Sequence, residues 1–368
     1  MNILIQMAHP AHYYYYKNVI PDLQKDGHTV VVVITSKDIL EDIVKDAGIT
    51  YVNILPVSHK KWGKSGFYYD MVLREWRILK LCLKHHIDLL VGCTVEVSLT
   101  SWLLHRYEIN IGEDDASVTP QYINAIAPFV QTRLTPVTCH NGKIEHKSVH
   151  YHGFLKLAYL HPHVFMPDSA IPAHYSIDVT KPYFLLRFSG LRAYHDTGIN
   201  GISTEVAQKV IELLKPYGKI YITSERELEF DLEQFRLHIN PLDIHHVMAY
   251  AKMYVGDSQS MAVEAAMLGI PGLRFNDFVG KKKIGVLEEL EHEYNLTYGI
   301  GSHEPEKLYE KIKELLSMPN LKEEWQRRRK KMLADKIDVA AFLTWFIENY
   351  PESVKTMQQN PDFQKNFK

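Results

Sequence analysis

Cysteine is scarce in this chain, with three residues, Cys82, Cys93 and Cys139, among 368. They are odd in number and far apart. They spell neither a redox pair nor a zinc-ligand spacing, and are expected to be reduced core thiols of a cytoplasmic protein. An excess of one charge is also lacking. A formal net charge of -2 gives no reason to expect nucleic acid as a partner. No apolar run is long enough to span a bilayer. The chain starts directly on the strand-like Asn2-Ile3-Leu4-Ile5, so no secretion signal is expected. The twenty histidines contain no HExxH or similar ligand spacing, so no metal is expected. The first turn lacks GxGxxG, which withholds support for a dinucleotide there, and no other cofactor is expected. Internal repeats and low-complexity tracts are absent.

What remains is an ordinary globular composition, 46% hydrophobic and 23% charged. The length is comfortable for two domains. Ile3 to Met7 reads as a buried strand, followed by the loop Ala8-His9-Pro10-Ala11-His12 and a helix over 13–25 ending at Gly27. A Val-rich strand over 28–35, a helix over 38–47 and a strand over 51–55 continue a βαβαβ rhythm, which predicts a doubly wound parallel α/β sheet. Residues 58–66, SHKKWGKSG, read as an exposed basic loop, with a lid as the alternative. An amphipathic helix over 67–86 follows. A strand over 88–93 ends near Glu96, and a short strand over 110–112 opens on Glu113-Asp114-Asp115. Acids at a strand end sit where such sheets place ligands, and close carboxylates raise one another's pKa. Equally, one acid caps the next turn and the rest are solvated. Asn141-Gly142 is the strongest hairpin signal, joining strands over 137–140 and 148–151. Prolines 162, 167, 172 and 182 punctuate the next stretch, placing a domain boundary near 178. The predicted division is 1–178, 179–350 and a frayed polar tail over 351–368.

The second half restarts the rhythm with a strand over 183–188. Its loop carries Arg187, Ser189, Gly190, Arg192 and His195, groups that hold phosphate through guanidinium forks and backbone N–H groups. The alternative for Arg187 is a structural carboxylate partner. Residues 253–275, MYVGDSQSMAVEAAMLGIPGLRF, read as strand, turn, helix, strand. Asp257, Ser258 or Ser260 can cap this helix, and Gly256 allows a sharp turn or a close approach. The helix start offers unpaired N–H groups and the positive end of the helix dipole, which suits phosphate. Glu264 suits a neutral partner such as a sugar hydroxyl. Arg327-Arg328-Arg329-Lys330-Lys331 reads as a solvated helix face, with peripheral contact to anionic lipid as the alternative.

The segments YHGFLKLAYLHP, LLRFSGLRAYHDTGINGI and YVGDSQSMAVEAAMLGIPGLRF resemble a poorly characterised prokaryotic family of glycosyltransferase-like proteins. The resemblance implies GT-B architecture, two Rossmann-like doubly wound domains facing across a cleft. The third segment is also similar to the DSGG-type motif of the non-hydrolysing UDP-N-acetylglucosamine 2-epimerase, with Gln259-Ser260 in place of the two glycines. By that resemblance Asp257, Ser258, Gln259 and Ser260 hold diphosphate, beside the close-approach position Gly256, and Glu264 holds ribose. The implied activity is a glycosyltransferase in surface polysaccharide or glycoconjugate synthesis, with a nucleotide-diphosphate sugar (UDP first) as donor. Its acceptor is an unidentified glycan or lipid-linked molecule. His12, then Asp114, is the expected base, with Glu113 beside it. A nucleotide-sugar epimerase using Glu96, Glu113 and Asp114 is the alternative, and a non-catalytic nucleotide-sugar binder the third reading.

Overall fold

The computed structural model describes residues 1–190 and 200–368. It divides into two units, Met1–Val164 with Lys336–Lys368, and Phe165–Asp335.

The first unit holds a seven-stranded sheet in the order β3-β2-β1-β4-β5-β6-β7. The strands are β1 (Asn2–Met7), β2 (Thr29–Thr35), β3 (Tyr51–Leu55), β4 (Leu89–Gly92), β5 (Tyr107–Ile111), β6 (Thr132–Pro136) and β7 (Ser148–Tyr151). All the pairs are parallel. Helices cover both faces of such a sheet, which explains the near-continuous apolar runs of β1 and β4. One core layer packs Leu4, Val33 and Leu90 of the sheet against Ile78, Cys82 and Val97 of two helices. Full burial of each aliphatic side chain contributes about 1.5–3 kcal/mol.

Three expectations change here. Asn141-Gly142 makes no hairpin, because β6 and β7 run parallel and are joined through a 3-10 turn, Gly142–Lys147. A parallel pair requires a crossover connection. The glycine is still used for positive φ, +58°. The second change concerns the boundary, which falls after Val164 rather than at 178, and the chain returns to the first unit at Lys336. The returning helix Val339–Glu348 buries Val339, Phe342, Leu343 and Phe346, with Phe342 against Tyr151. Thirdly, the tail is ordered. Helix Glu352–Gln359 leads to a 3-10 turn, Pro361–Phe367, whose Phe363 and Phe367 pack on Trp345. Gln364 accepts the His152 N–H at 2.6 Å.

The second unit holds a five-stranded parallel sheet in the order β12-β11-β10-β8-β9. Its strands are β8 (Tyr183–Phe188), β9 (Lys219–Ser224), β10 (Met253–Gly256), β11 (Gly272–Phe275) and β12 (Thr297–Ile300). Both sheets are doubly wound α/β, as the sequence rhythm predicts. Among the described residues no helix is long and apolar enough to cross a membrane.

Candidate functional site

In the second sheet β8 has β9 on one side and β10 on the other, so the strand order reverses between β8 and β10. Ligands of doubly wound sheets bind outside the carboxyl ends of the strands at such a reversal. The segments at that edge are Phe188-Ser189 and Gly256-Asp257-Ser258. Gly256 is required by packing, because a Cβ there would run into the Tyr254 hydroxyl and lie 2.9 Å from the Arg187 carbonyl oxygen. Helix Gln259–Leu268 starts directly above it. The Ser258 hydroxyl caps that helix by accepting the Met261 N–H at 3.3 Å. Cap and dipole leave the first-turn N–H groups of Gln259 and Ser260 presented at the sheet edge. Ser260 is exposed, and Ser258 and Gln259 are half-buried.

Asp257 behaves differently from the expectation that it holds phosphate. Its side chain is buried and braces the loops. It accepts the Ser189 N–H at 2.6 Å and the Ile202 N–H at 3.3 Å, and Arg226 stands 3.9 Å away. Its backbone carbonyl accepts the Asn276 amide at 2.9 Å. Burial raises its pKa, opposed by the bonds from Ser189 and Ile202 and by Arg226. Asp277, at the end of β11, fastens Asn200 through the backbone N–H at 3.2 Å and the amide at 3.0 Å. The Ser302 hydroxyl, first among its partners, holds the Asp277 carboxyl below its ordinary range.

Arg187 ion-pairs with Glu225, which also accepts the Gly190 N–H at 2.9 Å. The structural-carboxylate alternative therefore describes Arg187 in this state. Its partner is 55% exposed, so an incoming anion can compete for the guanidinium. Arg192 and His195 lie outside the described residues. Glu264 is buried, with an oxygen 3.3 Å from His245 Nε2. The sequence reading missed Arg226, whose guanidinium lies 5.2 Å from the Phe188 ring centre and donates to the Ile202 carbonyl. Arg226 lines a cavity of about 370 Å³ with Phe188, Ile202, Ser203, Glu229 and Leu232. A basic residue just past a strand end was the available signal.

In the first sheet the order reverses between β1 and β4. The loop after β1 carries His9 and His12. His9 caps the short helix Pro10–Tyr16 by accepting the Ala11 N–H at 3.2 Å. His12 Nδ1 accepts the Ala8 N–H at 3.2 Å, and its ring stacks on Tyr15. Burial first, then the charges of His9, Lys37 and Lys156, push the His12 pKa down to about 3. The ring is neutral with its proton on Nε2, so it presents a hydrogen rather than the lone pair a base requires.

The three acids after β5 separate into three roles. Glu113 ion-pairs with buried Lys156 and accepts the Leu155 N–H at 3.2 Å and the Tyr15 hydroxyl at 3.4 Å. Asp115 accepts the His140 N–H at 2.8 Å. Asp114 is exposed. Glu96 pairs with Arg74 at 2.7 Å. Lys156 was missed by the sequence reading, although it sits in YHGFLKLAYLHP. So was Arg133, a fully buried guanidinium against Gly112 that donates to Asn110 Oδ1 at 2.5 Å. The basic run 327–331 is engaged at its start. Arg327 and Arg328 pair with Glu324, and Arg329 donates to the Met267 carbonyl at 2.5 Å.

No protein-family model matches the chain, and no curated protein sequence does. Solved structures do. The MnaA–UDP structure from S. aureus superposes with a TM-score of 0.65 at 14% identity, covering 98% of this chain and 97% of that one. The UDP-GlcNAc 2-epimerase from Neisseria meningitidis, bound to UDP-GlcNAc, gives 0.64 at 13%, covering 98% and 100%. The spinosyn rhamnosyltransferase SpnG, complexed with spinosyn aglycone, gives 0.62 at 12%, covering 95% and 100%. Epimerases and glycosyltransferases share this architecture, and the chain has the same GT-B fold, two Rossmann-like domains in tandem.

Proposed function

We propose that this GT-B chain is a glycosyltransferase that uses a nucleotide-diphosphate sugar, with UDP as the first nucleotide to try. The observation that supports this most is the capped start of helix Gln259–Leu268 at the strand-order reversal of the second sheet. Ser258, Gln259 and Ser260 are assigned to the diphosphate there, with Arg187 exchanging Glu225 for phosphate. Glu264, backed by His245, is assigned to the ribose. Stabilising the leaving diphosphate as its charge develops is the main catalytic task of such a site. On the acceptor side Asp114 is the base, and His12 Nε2–H is a hydrogen-bond donor to a bound hydroxyl. Solved relatives in fold hold UDP, UDP-GlcNAc and thymidine diphosphate.

Transfer is preferred to epimerisation for a specific reason. An epimerase needs carboxylates at the sugar ring to remove and return a proton, and of Glu96, Glu113 and Asp114 the first two are paired with Arg74 and Lys156. Incubation with UDP-GlcNAc in deuterated water, without acceptor, separates the two. Deuterium at C2 would favour the epimerase, and its absence together with turnover on an added acceptor supports transfer. Tight binding without turnover across a broad acceptor panel would leave a nucleotide-sugar binder. A thermal-shift screen against nucleoside diphosphates and their sugars tests the common premise, because a ligand of the native state raises its stability. If none of them shifts the unfolding temperature, the assignment fails.

A further inference from the structure

The helix Lys64–Lys84 of the first unit carries apolar side chains on two opposite faces. One is the core face, where Ile78 and Cys82 are buried. The other faces solvent with Tyr68 (59% exposed), Val72 (64%), Trp76 (56%) and Leu83 (61%). Steps of four, four and seven residues keep these side chains on one line along the helix. From first to last the line runs about 22 Å at 1.5 Å per residue. Trp62, Phe67 and Tyr69 are exposed around its first turns. Single exposed apolar residues are normal on a protein surface, whereas a continuous stripe marks an interaction site.

The turn before the helix is fastened to it. Asp70 accepts the Ser58 hydroxyl and the His59 N–H, both at 2.9 Å, and lies 2.6 Å from His59 Nδ1. The His59 ring packs 4.6 Å from Trp62 and 4.9 Å from Tyr69. Gly66 admits the His59 carbonyl, which a Cβ there would overlap. The aromatic side chains are thus held outward by structure rather than by chance.

Charge selects the occupant. Lys61, Lys64, Lys80 and Lys84 are exposed on the turn and helix that carry the stripe, and Lys80 Nζ lies 5.4 Å from the Trp76 ring centre. The helix's two acids turn inward. Asp70 holds the turn, and Glu75 accepts the Thr100 hydroxyl at 2.7 Å. Trp and Tyr rings with a basic border suit the headgroup region of a bilayer, where lysine stems lie along apolar surface and their heads reach anionic lipid. A two-fold contact between copies of this face would set lysine against lysine. We propose that the solvent face of helix Lys64–Lys84, with Trp62 of the preceding turn, docks the protein on an anionic bilayer surface. It shares no residue with the nucleotide site.

Sedimentation of the full chain with phosphatidylcholine vesicles, with and without about one-third phosphatidylglycerol, tests it. Binding at least about tenfold stronger to the acidic vesicles is expected, weakened by salt. Val72→Asp and Trp76→Asp change only exposed positions, so an unchanged unfolding temperature should accompany a loss of vesicle binding of about tenfold or more. Failure to sediment with either lipid overturns the proposal, as does equal binding to both. A Val72→Asp variant that still binds like the parent overturns it, and so does a concentration-dependent dimer, dissociated by Val72→Asp, in a chain that ignores vesicles.

Discussion

Asp257 and Ser189 meet across the strand-order reversal, the carboxylate accepting the backbone N–H at 2.6 Å. Because Asp257 also holds Ile202, one buried side chain fixes both sides of the loop edge that faces the proposed diphosphate. Replacing Asp257 with Ala strands these N–H groups and should destabilise the fold by about 2–4 kcal/mol in urea unfolding. Asp257→Asn keeps an acceptor and should cost about half of that. Nucleotide affinity should fall in both, and an Ala variant of parental stability would refute the bracing role.

Glu264→Ala should lower UDP affinity about tenfold, which is about 1.4 kcal/mol by titration calorimetry. His245→Gln should lower it less, since His245 reaches the ligand only through the Glu264 carboxylate. Parental affinity in Glu264→Ala would remove Glu264 from the nucleotide site.

His12 has its pKa lowered to about 3, chiefly by burial, so the ring stays neutral across the working range. A pH–rate profile should therefore show no limb near 6.5 from His12. Asp114→Asn should remove most of kcat. His12→Gln, which keeps an N–H donor, should retain more activity than His12→Ala. A limb near 6.5 that vanishes in His12→Gln would restore the histidine as the base.

Glu108 lies fully buried in β5, its carboxyl pushed up from 4.5 to about 7, chiefly by burial against bonds from Ser98 and the Gln131 N–H. The folded state therefore binds this proton more tightly than the unfolded chain. The stability it contributes is complete below the unfolded value and is lost as pH rises through about 7. Glu108→Gln should flatten the stability profile between those values, with a difference of about 1–3 kcal/mol at pH 8 relative to pH 5. Parallel profiles for parent and variant would contradict the assignment.

Deleting residues 361–368 removes Phe363 and Phe367 from Trp345 and the Gln364 bond to His152. Thermal unfolding should fall by several degrees, corresponding to about 2–4 kcal/mol. An unchanged midpoint would return the tail to the frayed state its composition suggests.

Periodicity was enough to determine the doubly wound class, because strands buried on both faces have to be apolar throughout and helices between them have to alternate. A capped helix start at Asp257, Ser258 or Ser260 was likewise readable, since caps and glycine turns are local chemistry, and the structure selects Ser258. Local chemistry could not decide partners far apart in the chain. Glu113 meets Lys156, Asp257 meets Ser189, and Glu264 meets His245 only after the sheets form. The acid read as a ligand group braces two loops, and the histidine read as a base is held neutral, through contacts and burial set by folding. The return of the chain at Lys336 has the same origin: the apolar face of helix Val339–Glu348 shows in the sequence, but which surface it covers is a property of the packed fold.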